Sequence, residues 1–189
     1  MKSKPGPQHP HLPITKEGGV RTVFLVGFMG AGKTSVGRAL SKRLHWAFED
    51  LDDRIQLREG RTIEEIFRDQ GEAAFRRAEN EALQEVLANL GSVHRIIALG
   101  GGAFAQGENV AMIEKAKLPA IFLDAPVEEL FRRCTQESRT RPLCRDAKQF
   151  RELYESRRAS YRKATWRIET NGKDVETVAA EVACRLGIQ

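Results

Sequence analysis

The sequence is poor in the residues that would make it a disulfide scaffold, a metal knot or a membrane protein. It has three cysteines, at 134, 144 and 184. An odd, widely spaced set gives no disulfide framework and no zinc pattern, and predicts reduced thiols in the cytoplasm. The four histidines, at 9, 11, 45 and 94, fall at no metal-ligand spacing, which leaves them structural or solvent-facing roles. No apolar run approaches the roughly 20 residues of a membrane helix. The N-terminus has lysines but lacks the apolar segment of a secretory signal. Proline is scarce beyond the start: four of the seven sit at 5, 7, 10 and 13. That stretch also has little apolar periodicity, so residues 1–19 read as a disordered tail and 20–189 as a single domain.

What is present suits a single α/β domain with one core: 189 residues, 41% hydrophobic and 30% charged. The net charge of +5 is unevenly placed. Between Phe131 and Arg167, twelve Lys and Arg face four acids. Such a stretch can be a nucleic-acid surface, a solvated helix face or a cluster for small anions. No nucleic-acid motif and no aromatic interleaving supports the first.

The strongest signal is Gly27-Phe28-Met29-Gly30-Ala31-Gly32-Lys33-Thr34, a full G-x-x-x-x-G-K-[ST] match. Thr22–Val26 before it reads as a buried strand. Ser35–Leu44 after it reads as a helix with Val36, Ala39, Leu40 and Leu44 on one face. Strand, glycine loop and helix together wrap a polyphosphate, because glycines let backbone N–H groups turn inward and the helix N-terminus adds partial positive charge. The phosphate-binding residues are then Gly30, Ala31, Gly32, Lys33, Thr34 and Ser35. Lys33 reaches the β- and γ-phosphates and Thr34 puts its hydroxyl on Mg²⁺.

Further strands are expected at 46–50, 95–99, 120–123 and 167–169. Helices are expected at 53–58, from the Thr62-Ile63-Glu64-Glu65 capping box with a break at Gly71, at 72–90, after Pro126, at 147–164 and at the C-terminus. Strands alternating with helices predict a three-layer α/β fold around a central five-stranded parallel sheet. Ligands in such sheets lie at the carboxyl ends of the strands. The glycine loop, Asp50 and Gly100-Gly101-Gly102 all fall at such ends.

Three features bear on an acceptor. Asp50 and Asp52 are two residues apart. They can serve a cation and a hydroxyl, or the acids here can simply be a helix N-terminal pair, which Asp52 and Asp53 would suit. Arg76 and Glu79 are spaced i,i+3, which fits either a surface ion pair or a guanidinium aimed into a cleft beside Phe75. The triple glycine offers bare N–H groups to a ligand, or is a flexible corner.

The phosphate loop, Asp50-x-Asp52, Phe75-Arg76-x-x-Glu79, Leu99-Gly100-Gly101-Gly102 and Arg141-Pro142-Leu143 occur in the order found in shikimate kinases, and the chain resembles that family from about Thr22 to Leu186. The resemblance implies a nucleoside-monophosphate-kinase-like fold. It also implies ATP-dependent phosphorylation of the 3-hydroxyl of shikimate, on the route to chorismate and the aromatic amino acids. By position, Asp52 holds the shikimate hydroxyls and can accept a proton, Arg76 is one of two arginines on the substrate carboxylate, and Gly101 is a backbone contact. Thr34 is the Mg²⁺ ligand, with Asp50 helping through water. Arg141 lies in a lid at about 134–147 and reaches the ATP phosphates, so Lys33, Asp52 and Arg141 form the catalytic set.

The family pattern Arg-x-Pro-x-Tyr is altered here: Arg157-Arg158-Ala159-Ser160-Tyr161 has alanine for proline. Counting back from Tyr161 selects Arg157 as the second carboxylate ligand, with Arg158 the alternative. Arg133 resembles the adenine-stacking arginine. Lys173 stands on the other adenine-side segment, where arginine is common. The resemblance further implies ATP and shikimate as ligands, no nucleic acid, no membrane, a monomer and a cytoplasmic enzyme. The rival readings are another small-molecule kinase, such as a gluconate kinase, or a nucleotide-binding regulatory module without catalysis.

Overall fold

β1 (Thr22–Val26) is buried along its whole length, as an unbroken apolar run with sheet neighbours on both sides requires. The computed structural model describes residues 20–137 and 146–188. After β1 come α1 (Lys33–Leu44), β2 (Ala47–Asp50), α2 (Leu51–Glu59), α3 (Ile63–Ala88) and β3 (Arg95–Ala98). A 3-10 turn (Ala103–Ala105) leads to α4 (Gly107–Lys115) and β4 (Ala120–Asp124), then α5 (Val127–Glu137). The chain closes with α6 (Ala147–Tyr161), β5 (Trp166–Glu169) and α7 (Val175–Arg185). The strands form one five-stranded sheet in the order β2-β3-β1-β4-β5. All four pairings are parallel. This is the α/β fold expected from the alternation of strand and helix patterns.

The order places the C-terminal end of β1 between those of β3 and β4. The glycine loop therefore opens beside the triple glycine that follows β3. α1 packs with α7, and α2 with α3. The core runs through Phe24, Leu25, Leu40, Ile55, Leu83, Ile97, Phe122 and Val182.

Local sequence explains most boundaries. The capping box forms: Thr62 Oγ1 accepts from Glu65 N, and Glu65 accepts from Thr62 N at 2.8 Å. Gly71, at φ 79°, breaks the helical path of α3 where a side chain would be strained. α2 starts two residues earlier than expected, because Asp50 caps it by accepting from Asp52 N at 3.1 Å. α4 and the 3-10 turn have no counterpart in the sequence reading. α4 opens on glycine behind Gln106, which makes no side-chain cap, so it carries no start signal.

Of the expected lid at 134–147, its first residues continue α5 and Asp146 caps α6. Residues 138–145, Arg141 among them, and the tail 1–19 lie outside the described residues. Cys134, buried on α5, is disulfide-bonded, which corrects the expectation of three reduced thiols. An odd number of cysteines leaves at least one thiol free but does not bar a pair among the rest. Cys184 is free and exposed. Among the described residues, no helix is long and apolar enough to cross a membrane.

Candidate active site

Gly30, Ala31 and Gly32 form the turn that delivers the chain into α1, and Lys33, Thr34 and Ser35 are that helix's first residues. Gly32 is the N-cap at φ 84°, so no cap side chain covers the first amides of α1. The Lys33 ammonium donates to the carbonyls of Gly27 at 2.9 Å and Phe28 at 3.0 Å. Thr34 Oγ1 donates to Asp50 Oδ2 at 2.7 Å, while Asp50 Oδ1 caps α2. Asp50 is therefore a helix cap, and it also holds the Thr34 hydroxyl across to β2. The pair is made of hard oxygen donors, the kind Mg²⁺ takes.

Asp52 and Glu79 converge on the corner after β3. A Cβ placed on Gly100 would stand 2.5 Å from Asp52 Oδ1 and 3.0 Å from Glu79 Oε1, and one on Gly102 would stand 2.5 Å from Arg76 Nη1. Only glycine lets the chain pass this close to the three side chains. Arg76 Nη1 donates to Glu79 Oε2 at 2.8 Å, and Arg76 Nη2 donates to Glu72 at 3.0 Å. Glu79 is fully buried, so the pair is no surface ion pair. Burial pushes the Glu79 carboxyl above its ordinary range. The Arg76 charge opposes that shift, and the nearby Asp52 carboxylate adds to it.

α6 reaches the same corner. Arg157 Nη1 donates to the Gly101 carbonyl at 3.3 Å, and the buried Tyr161 hydroxyl donates to the same oxygen. Burial pushes the Tyr161 phenol up, which keeps it a donor at any physiological pH. Arg158 goes elsewhere: it pairs with Glu155 at 3.9 Å and lies over the Tyr154 ring. The structure therefore brings Arg157, not Arg158, to the corner.

On α5, Arg133 donates to Glu129 at 2.7 Å and to Thr170 Oγ1 and carbonyl at 3.3 and 3.2 Å. Its guanidinium lies against the residue that opens the Asn171-Gly172 turn. Glu129, which accepts from Arg132 and Arg133, is held down at about 2. The Lys173 ammonium is bound to Glu181 of α7 at 2.8 Å.

The family model for shikimate kinase matches residues 29–186. The chain belongs to the shikimate kinase family. It is 41% identical to a shikimate kinase of Geobacter metallireducens, over 89% of this chain and 93% of that one. It is 36% identical to a shikimate kinase of Persephonella marina, over 88% of this chain and 99% of that one. Among solved structures, the shikimate kinase of Acinetobacter baumannii in complex with shikimate superposes with a TM-score of 0.80 at 34% identity, covering 89% of this chain and 94% of that one.

Several residues of this family member's site escaped the sequence reading. Tyr161 served there only as a counting mark, yet it bonds Gly101. Asn109, fully buried on α4, donates to the Ala103 carbonyl at 3.0 Å and accepts from Asn80 of α3 at 2.8 Å, pinning the corner to the helix that carries Arg76. Phe28 occupies an unspecified motif position but is fully buried under α6. A polar residue on the apolar stripe of α4, Asn109 among Val110 and Ile113, was the one available signal.

Proposed function

We propose that this chain transfers the γ-phosphoryl group of ATP to the 3-hydroxyl of shikimate, giving shikimate 3-phosphate and ADP on the route to chorismate. The observation that carries the reading is the contact between its two halves. A Cβ on Gly101, in the corner that gathers Asp52, Arg76 and Arg157, would stand 3.4 Å from Met29 N in the phosphate loop. An acceptor held at that corner lies against the loop that holds the donor.

Phosphoryl transfer asks the protein mainly for positioning and for neutralising charge. Lys33 exchanges its loop carbonyls for the β- and γ-phosphate oxygens, with Arg141 as a second cation there. Arg76 of α3 and Arg157 of α6 clamp the acceptor carboxylate by forked, charge-assisted hydrogen bonds. Asp52 orients the attacking hydroxyl and takes its proton. Thr34, with Asp50 behind it, would hold Mg²⁺, which supplies charge neutralisation on the phosphates when bound. Arg133 stacks on the adenine. Lys173 flanks the base in place of the usual arginine only if it leaves Glu181. The enzyme acts as a cytoplasmic monomer.

A coupled ADP-release assay with ATP and Mg²⁺ tests the reading against shikimate, quinate and gluconate. Turnover with shikimate is expected. Turnover with gluconate and none with shikimate would overturn it.

A further inference from the structure

Arg76 and Arg157 are held in different ways. Arg76 is braced by two carboxylates, Glu72 and Glu79. Among the described residues, Arg157 forms no ion pair within 4.0 Å. Its contacts include the Gly101 carbonyl at 3.3 Å and the face of the Phe28 ring, with the guanidinium carbon 5.9 Å from the ring centroid, and it also interacts with the Tyr161 hydroxyl and, more distantly, with the Glu79 charge. An aromatic face orients a guanidinium without neutralising it and without occupying its forked N–H donors. The charge of Arg157 therefore stays available to a ligand carboxylate.

The ring that does this is itself rigidly set. Phe28 is fully buried and meets two rings of α6 edge-on, Phe150 at 4.9 Å and Tyr154 at 5.5 Å. Its carbonyl, meanwhile, accepts from the Lys33 ammonium. Nucleotide phosphates draw that same ammonium. One residue thus touches the phosphate-binding lysine with its backbone and the acceptor-side arginine with its side chain.

We infer that Phe28 is a positioning residue for the acceptor: its ring orients Arg157 toward the substrate carboxylate and couples that arginine to the occupancy of the phosphate loop. The inference rests on the reading of Arg157 as a carboxylate ligand. Coupling of this kind is reciprocal, so each ligand tightens the other by the same factor.

Calorimetric titration of shikimate, with and without ADP and Mg²⁺, tests it on the parent protein, Phe28→Leu, Arg157→Lys and the double variant. Leucine nearly conserves the buried volume but offers no ring face. Phe28→Leu should weaken shikimate binding about two- to thirty-fold and leave binding of ADP alone within about twofold. It should also bring the ratio of shikimate affinities with and without ADP toward one. Arg157→Lys in the Phe28→Leu background should add less than it does alone. Phe28→Met, whose flexible side chain fills irregular space, carries the same test if the leucine variant melts early. Parent-like shikimate affinity and coupling, additive effects, or equal losses for both ligands would overturn the inference. A parent protein that binds ADP and not shikimate would instead overturn the proposed activity.

Discussion

Arg76 and Glu79 form a 2.8 Å ion pair in which the acid is fully buried and the base keeps only 17% of its side chain exposed. A surface pair at i,i+3 spacing contributes little to stability. This one leaves a buried charge uncompensated when either partner is lost. It also points a guanidinium at the corner after β3 without leaving it free to wander.

Separating the phosphate end from the acceptor end is the first test. Arg76→Ala should leave ATP binding nearly intact and lower kcat/KM for shikimate by about 30-fold to several thousand-fold, the equivalent of about 2–5 kcal/mol. Lys33→Ala should collapse kcat, because phosphate charge grows toward transfer. Steady-state kinetics with each substrate varied in turn, beside nucleotide titration, reads both. Loss of ATP binding in Arg76→Ala would refute the assignment.

The α6 arginines should differ sharply. Arg157→Ala should raise the KM for shikimate on the scale of Arg76→Ala. Arg158→Ala, which removes a 3.9 Å pair with exposed Glu155, should change it by less than about threefold. A reversed order in shikimate kinetics would move the carboxylate ligand one residue along the helix.

Glu79 gives the pH dependence a definite direction. Its ionised form holds Arg76, and its carboxyl titrates above the ordinary 4.5. As pH falls through that raised value, the acid takes a proton and Arg76 loses its buried partner. The acid limb of kcat/KM for shikimate should therefore begin above 4.5. Glu79→Gln should flatten that limb at a lower plateau. The sign for stability is opposite. Between the ordinary and the raised value the folded state holds the extra proton, so stability falls as pH rises through that window. Glu79→Gln should remove this slope from pH-dependent melts. An unchanged acid limb in Glu79→Gln would show that another group controls it.

Asn109→Ala should act at a distance. The Ala103 carbonyl and the Asn80 amide lose their buried partner, which costs about 1–3 kcal/mol of stability. The corner loosens as well, so the KM for shikimate should rise while that for ATP stays put. Thermal melts and the two KM values check this. Equal rises in both would mean that the whole fold, not the corner, has relaxed.

Much of the phosphate side could be read from residue order, because a helix N-terminus, its glycines and its lysine are neighbours in the chain. Thr34 and Asp50 are sixteen residues apart, and their 2.7 Å bond was not anticipated: the resemblance implied only that both serve one cation. The acceptor side was legible only through family resemblance. Arg76, Gly101 and Arg157 come from three separate elements, and no local pattern says that their side chains meet. The i,i+3 spacing of Arg76 and Glu79 left a surface pair and a cleft-facing guanidinium equally open, because spacing alone does not give burial. α4 went unseen because nothing caps it.

The sheet order carries a consequence for how the chain is made. β1 leaves the ribosome first among the strands, yet its two partners are β3 and β4. At about 5–20 residues per second, the roughly 100 residues between Val26 and the end of β4 take about 5–20 s to synthesise. Until β3 is made, Thr22-Val23-Phe24-Leu25-Val26, an uncharged β-prone segment, waits with both edges unpaired, and until β4 is made it waits with one. The strand that anchors the phosphate loop in the finished enzyme is thus the nascent chain's most exposed aggregation hazard, and a chaperone holding it until residue 124 emerges should raise the yield of folded protein.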